Sequence, residues 1–260
     1  MMANENRISE ETLAYLRGQF RPLIGFQFTV LSLPHAALVA FEPSQVGTIV
    51  GTLMDACLPH LEEIPRVGLS KHGGILGDRE GYPDYQHESG LRAELKLIYI
   101  DNPELTMKRP LTRREPSARL TQKVTIKNVV PETDSMLLIA YQLRPQAQNP
   151  NFISPTIVDF EVLSMIELVE ARDRRMVEAG GRWFGKYETP TILSKIGRKK
   201  LAIQDPLDVA SYGRKESEGK DFNEDTNFGK LQRIPHPTLQ SFLQKYQGLI
   251  SGEEEVVPAE

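Results

Sequence analysis

The chain has 260 residues, of which 40% are hydrophobic and 25% charged, a composition typical of a soluble globular protein. Its length is sufficient to bury a sizeable core within one large domain. The single cysteine, Cys57, excludes an internal disulfide and a cysteine-cluster metal site, and no stretch is long and apolar enough for a membrane span. The N-terminus lacks the apolar core of a signal peptide, so we expect a cytoplasmic protein.

The formal net charge of −4 does not by itself indicate a nucleic-acid partner, but the charges are unevenly placed. The segment Lys108–Lys123 contains six basic residues and one acid, and a second basic segment is Lys195–Lys215. Such clusters can bind DNA when they share one face, because their local field attracts phosphates. Solvated surface charge is the alternative for either segment. The residues that we expect to contact DNA are Arg113, Arg114, Arg119, Arg198, Lys199 and Lys200.

Two helices are predicted before any strand. The first begins after Ser9, a suitable N-cap that is followed by two acids in the first turn, where negative charge favours the helix dipole. The second begins after Pro43 and should end near Pro59. Its apolar face is predicted from residues that recur at helical spacing, namely Val46, Ile49, Val50, Leu53, Met54 and Cys57.

A glycine-rich segment, residues 73–81, leads to the predicted strands, and residues 211–228 are polar enough for a loop. We expect an α/β fold with a mixed central β-sheet flanked by helices, forming one domain over residues 1–250 with an acidic flexible tail over residues 251–260. The predicted strands are Leu91–Ile100, Val124–Val130, Met136–Leu143 and Ile157–Leu163. Two helices follow, one continuing from the last strand through Arg175 to Gly180-Gly181 and one at Pro237–Tyr246.

The residues that carry chemistry lie in a predicted hairpin. Pro83-Asp84 is followed after nine residues by Glu94-Leu95-Lys96, and the turn between them should fall at residues 87–90. Because alternate strand residues share a face, Glu94 and Lys96 project together while Leu95 faces the core. Phosphodiester hydrolysis needs a cation and an activated water, and Mg²⁺ prefers oxygen ligands. Asp84, Glu94 and the Leu95 carbonyl can provide these oxygens, and Lys96 can orient the water.

This pattern resembles the motif of the PD-(D/E)XK nuclease superfamily, and within it the type II restriction endonucleases. The matching residues are Pro83, Asp84, Glu94 and Lys96, and the apolar strand after Lys96 is similar to the family's central strand. The resemblance implies a restriction-endonuclease-like core in which both acids bind the cation and the lysine assists the water. Many members add a carboxylate from the preceding helix. The candidates are Asp55, Glu62 and Glu63, of which we select Glu63.

The resemblance implies a Mg²⁺-dependent type II restriction endonuclease that hydrolyses phosphodiester bonds of double-stranded DNA at a specific sequence. Symmetric cleavage of both strands favours a homodimer. One alternative is a repair or structure-selective nuclease with the same three residues. Another is a non-catalytic DNA-binding protein on a nuclease-like fold, although the intact set Asp84, Glu94 and Lys96 counts against it. In a third, Glu94 and Lys96 are an exposed pair on a half-buried strand and Asp84 is a turn residue.

Other chemistries have less support in the sequence. The five histidines form no close pair with zinc-ligand spacing, and we expect His72 and His87, which flank the hairpin, to be surface groups. We expect Trp183 and Phe184 to pack in the core. No nucleophile elbow, Walker loop or dinucleotide-binding glycine pattern is present, so the hairpin remains the best candidate site.

Overall fold

The computed structural model describes residues 7–36, 43–60, 67–72, 82–101, 118–120, 124, 126, 129–178 and 229–246. The predicted glycine-rich segment, the polar loop, the helix end at Gly180-Gly181 and the acidic tail all lie outside these residues. The described helices are α1 (Glu10–Phe20), α2 (Pro43–Cys57), α3 (Met165–Glu178) and α4 (Pro237–Gln244). The strands are β1 (Leu33–Pro34), β2 (Leu69–Lys71), β3 (Tyr85–His87), β4 (Arg92–Tyr99), β5 (Asp134–Pro145) and β6 (Phe152–Ser164).

The six strands form one mixed, curled sheet in the order β1-β6-β5-β4-β3-β2, so the predicted α/β class is confirmed. Strands β4 and β5 are parallel, from the pair Arg92 with Asp134 to the pair Tyr99 with Tyr141, and all other neighbours are antiparallel. A parallel pair needs a crossover connection, whereas β3 and β4 follow one another through the short turn at residues 88–90. The sheet places the β3–β4 hairpin beside β5, one of its two longest strands.

Each face of the sheet is covered by a different pair of helices. Leu137 and Ile139 of β5 share one apolar core with α1 and α2, while Met136 and Leu138 share a second core with α3 and α4. Alternation along the strand produces this division, because consecutive side chains point to opposite faces. None of the helices in the described part of the chain is long and apolar enough to cross a membrane.

The predicted helix starts are confirmed, but the predicted apolar face of α2 is partly wrong. The Ser9 hydroxyl accepts a hydrogen bond from the Thr12 amide (3.1 Å), as expected for an N-cap. In α2, however, Ile49 and Leu53 are 47% and 42% exposed. The buried apolar residues of the helix form a narrow stripe of residues four apart. These are Val46, Val50 and Met54, with Leu58 just beyond the helix end.

The strand predicted at Val124–Val130 is wrong for the residues that the structure describes there, since none of positions 124, 126, 129 and 130 lies in a strand. Val124 and Val129 are nevertheless buried in the core next to α3 and α4. The Val124 carbonyl accepts a hydrogen bond from the Arg172 guanidinium of α3 (2.8 Å). Val124 and Val129 are apolar because they pack in the core with α3 and α4, and apolar residues at this spacing cannot by themselves distinguish that role from a strand.

Candidate active site

The β3–β4 hairpin places the three predicted residues at one point of the sheet. Tyr85 pairs with Ala93 and Gln86 with Arg92, and the turn occupies residues 88–90, as predicted. Gly90 has a φ of 85°, a conformation that favours glycine in a tight turn. Because the pairing begins at Tyr85 and Ala93, the next residues outward, Asp84 and Glu94, lie side by side beyond the last pair.

The Asp84 carboxylate lies against the open backbone edge of β4. Its Oδ2 accepts a hydrogen bond from the Leu95 amide (2.7 Å). The amide and carbonyl of one strand residue point to the same edge, so the Leu95 carbonyl also faces this space. Burial raises the pKa of Asp84 to about 6, and the charge of Glu94 adds to the rise, while Lys96 and the Leu95 amide oppose it. The half-buried Asp84 and the buried Glu94 thus form a pair of adjacent like charges.

Glu94 is buried and only half satisfied. Its side chain and that of Lys96 project from the same face of β4, with the Lys96 ammonium 2.6 Å from Glu94 Oε1. The other oxygen, Oε2, is buried and accepts no hydrogen bond from the described part of the chain. Leu95 points to the opposite face and packs in the core with α1 and α2, so the predicted alternation is confirmed.

These oxygens fit a hard divalent cation. The Lys96 ammonium already lies between Glu94 Oε1 and the Leu95 carbonyl, which is 3.0 Å away, so a positive charge is held by these groups. Within the described residues, no three histidine, cysteine or acidic side chains converge as a metal cluster. Mg²⁺ does not need one, since it commonly uses one or two carboxylates and keeps several waters. Asp84, Glu94 and the Leu95 carbonyl match that requirement.

Of the three candidates for an additional carboxylate ligand, the structure describes only Asp55. Glu62 and Glu63, including our selected candidate, lie outside the described residues. Asp55 of α2 is near enough for its charge to contribute to the raised pKa of Asp84. Its carboxylate oxygens are both 2.8 Å from the Lys71 ammonium, and Oδ1 also accepts a hydrogen bond from the Tyr85 hydroxyl. Asp55 is therefore close to the site but already engaged by other side chains.

Most of the predicted DNA-contacting residues are not described. Arg119 forms an isolated antiparallel bridge with Lys230, which places two cationic residues opposite each other. The expected DNA contacts of this residue stay a prediction. The remaining candidates lie outside the described part of the chain, as do Trp183 and Phe184, and they are Arg113, Arg114, Arg198, Lys199 and Lys200.

His87 was expected at the surface, and that expectation is wrong. The ring is 2% exposed and makes edge contacts with the rings of Tyr15 and Phe20, at 6.1 and 5.9 Å between centroids. Its Nδ1 accepts a hydrogen bond from the Ser89 amide (3.2 Å), and burial lowers its pKa. The available signal was alternation, because His87 lies two residues after Tyr85 and so shares its buried face. His72 is half-buried, and its amide donates to the Asp84 carbonyl (3.1 Å).

A second group beside the hairpin was not anticipated from the sequence. Tyr82 and Arg92 both donate hydrogen bonds to Asp134, the first residue of β5.

Comparison with protein-family models, with curated proteins and with solved structures finds no significant match. A function for this chain is therefore inferred from the geometry of the hairpin and its neighbours.

Proposed function

We propose that the chain is a Mg²⁺-dependent nuclease that hydrolyses phosphodiester bonds of DNA at the site formed by Asp84, Glu94 and Lys96. The observation that carries the proposal is a buried Glu94 with one unpartnered oxygen in the described structure, next to a half-buried Asp84 of raised pKa and to Lys96. Buried polar atoms normally have hydrogen-bond partners, so Glu94 Oε2 is an exception, and acids with a raised pKa such as Asp84 are concentrated at functional sites. An exposed surface pair would not have these properties, since the side chains of Glu94 and Lys96 are only 9% and 16% exposed.

Each residue has a role that its position supports. Asp84 and Glu94, with the Leu95 carbonyl, would hold the cation. Bound Mg²⁺ would neutralise charge on the phosphate and lower the pKa of a water. Lys96 donates from its ammonium to the same oxygens and is placed to orient the attacking water and to stabilise negative charge as it develops. The arrangement agrees with the roles that the PD-(D/E)XK resemblance implies.

Within this class we propose a type II restriction endonuclease acting as a homodimer on double-stranded DNA. The helix that precedes the hairpin, the three antiparallel strands β2, β3 and β4, and the parallel strand β5 support a restriction-endonuclease-like core. A homodimer would cut both strands of a palindromic site symmetrically. The rival nuclease is a repair or structure-selective enzyme with the same residues, and the rival outside catalysis is a DNA-binding protein.

The test is incubation of the protein with long DNA of mixed sequence and Mg²⁺, beside Glu94→Gln as a matched inactive control. Discrete fragments indicate restriction, a smear indicates a nonspecific nuclease, and intact DNA that is nevertheless bound indicates the binding protein. Mn²⁺ should replace Mg²⁺, and Ca²⁺ should permit binding without cleavage. Full activity in excess EDTA, or equal cleavage by Glu94→Gln, would end the proposal.

A further inference from the structure

We propose that Asp134 is a positioning residue that holds Asp84 and Glu94 at the separation needed to share one cation, and that the Tyr82 hydroxyl is the contact through which it holds Asp84. This inference rests on the proposed function of the hairpin. It concerns a group that touches neither the cation nor the DNA. Its effect is transmitted through the two strand segments that lead into the acids.

Asp134 is 1% exposed and accepts five hydrogen bonds. Its Oδ1 accepts from Arg92 Nε (2.5 Å) and the Thr133 hydroxyl (3.0 Å). Its Oδ2 accepts from Arg92 Nη2 (2.5 Å), the Tyr82 hydroxyl (2.7 Å) and the Val130 amide (2.9 Å). A carboxylate has about four lone-pair sites, so this one is saturated. A saturated, buried carboxylate with a two-pronged arginine contact is a rigid attachment point.

The spacing connects that attachment point to the active site. Tyr82 lies two residues before Asp84, and Arg92 lies two residues before Glu94. Arg92 and Glu94 both lie in β4, where residues two apart project to the same side, so this donor to Asp134 is a same-face neighbour of Glu94. Tyr82 is linked to Asp84 through the buried Pro83, and its hydroxyl reaches Asp134 from the segment that precedes β3. The charge of Glu94 contributes to the raised pKa of Tyr82. One carboxylate therefore anchors both segments.

The two segments do not depend on Asp134 equally. Arg92 is also held through its backbone, because its amide donates to the Thr133 carbonyl (2.9 Å) and its carbonyl accepts from the Ser135 hydroxyl (3.0 Å). Tyr82 precedes β3, whose strand pairing begins only at Tyr85. Among the described residues, its hydroxyl ties the Asp84 segment to β5, while Asp84 itself accepts hydrogen bonds from the Leu95 amide at its carboxylate (2.7 Å) and from the His72 amide at its carbonyl (3.1 Å). Loss of that hydroxyl should displace Asp84 more than Glu94.

Metal sites are sensitive to such displacements. Catalytic groups need placement within about 0.5 Å, and the loss of a supporting contact outside the ligand set typically costs about 10- to 100-fold in metal affinity or activity. We therefore expect Tyr82→Phe to raise the Mg²⁺ concentration for half-maximal cleavage by about tenfold or more. At saturating Mg²⁺ the rate should recover substantially, since the ligands themselves are intact.

The experiment compares Tyr82→Phe with Tyr246→Phe in the full chain. Tyr246 also donates its hydroxyl to an aspartate, Asp159 (2.8 Å), so the control removes the same kind of hydrogen bond away from the hairpin. Cleavage is measured across a Mg²⁺ series, and Mn²⁺ binding to the DNA-free protein is measured by calorimetry. Tyr82→Phe should weaken Mn²⁺ binding by about tenfold, and Tyr246→Phe should leave both measurements unchanged. Equal melting temperatures of the two variants would show that the difference is not a matter of folding.

The outcomes separate this inference from the proposed function. If the wild-type protein binds Mn²⁺ and Tyr82→Phe binds it equally well with an unchanged Mg²⁺ dependence, Asp134 is only structural and the inference fails. If the expected loss of Mn²⁺ affinity occurs but no DNA is cut by the wild type, the inference holds and the nuclease proposal fails. A wild type that neither binds Mn²⁺ nor cuts DNA overturns both.

Discussion

The buried Asp134 and the pair formed by half-buried Asp84 and buried Glu94 lie on the same part of the sheet, and their carboxylates are satisfied very differently. Asp134 accepts five hydrogen bonds from four residues. Asp84 accepts one from the Leu95 amide, and Glu94 has one oxygen on Lys96 and one without a partner in the described structure. Burial alone does not distinguish Asp134 from Glu94, since both are buried. The number of donors does, because a saturated acid stabilises the fold whereas an incompletely satisfied acid lowers its stability.

The largest difference should be in catalysis. Asp84→Ala, Glu94→Ala and Lys96→Ala should each reduce DNA cleavage by about three orders of magnitude or more, because under the proposed function the three residues position the cation and the water together. Cleavage rate and melting temperature are measured for each variant. The two acid variants should melt no lower than the wild type, since removing either one relieves like-charge repulsion, while Lys96→Ala can lower it modestly. Near-normal cleavage by properly folded variants would show that the hairpin is only structural.

The opposite pattern is expected for the saturated acid. Asp134→Ala should destabilise the protein by about 3 to 4 kcal/mol, because it removes the buried acceptor of five hydrogen bonds, two of them from the Arg92 guanidinium. The measurement is urea unfolding. A matched control is Asp159→Ala, whose carboxylate binds Lys245 and Tyr246 but is 24% exposed, and this change should cost about 1 kcal/mol or less. Equal losses in the free energy of unfolding for the two variants would show that the number of hydrogen bonds to an aspartate does not determine how much it stabilises the fold.

A smaller effect is expected from the charge of Asp84, which lowers the free energy of unfolding of the metal-free protein. Because its pKa is raised from 3.8 to about 6 on folding, the folded state binds the proton more tightly. The stabilisation that this protonation gives the folded state is fully present below pH 3.8 and is lost as the pH rises to about 6. Asp84→Asn should therefore stabilise the metal-free protein by about 1 to 3 kcal/mol at pH 8, with little difference below pH 4. Mg²⁺ should stabilise the wild type and leave the variant nearly unchanged.

A difference in stability between the wild type and Asp84→Asn that has the same size at pH 4 and pH 8 would contradict this prediction. Such a result would mean that Asp84→Asn acts through packing and not through charge. Glu94→Gln provides the companion measurement, because removing the neighbouring charge should also lower the pKa of Asp84 and so reduce the loss of stability above pH 6.

The smallest expected effect is at the hairpin turn. Burial lowers the pKa of His87 below its ordinary value of 6.5, so the folded protein favours the neutral ring. The contribution of His87 to the free energy of unfolding is fully present above pH 6.5. It decreases as the pH falls below that value, by at most about 1.4 kcal/mol per pH unit. His87→Asn keeps an acceptor near the Ser89 amide but does not titrate. Unfolding of both proteins between pH 5 and 8 should show the wild type losing stability relative to the variant only on the acid side, and parallel curves would exclude the effect.

The sequence alone was sufficient for features whose causes are local. The start of α1 follows from the Ser9 hydroxyl and a backbone amide three residues away, and β4, β5 and β6 follow from long apolar runs. The hairpin that carries Asp84, Glu94 and Lys96 is also local. Its turn and its alternation place these residues together within 13 positions of the chain, so their juxtaposition could be predicted.

Only the tertiary structure decided which apolar and acidic residues are satisfied, and by what. Val124 is buried in the core with α3, and its carbonyl accepts a hydrogen bond from Arg172, 48 positions away, which no local pattern contains. Asp134 lies in the polar sequence Glu-Thr-Asp-Ser, which by itself is typical of a turn, yet its partners Tyr82 and Arg92 are 52 and 42 positions away. Hydrogen bonds between distant residues form only when the sheet brings their strands together. The sequence therefore determined where the acids of the hairpin lie, and the fold determined that Asp134 is saturated while Glu94 is not.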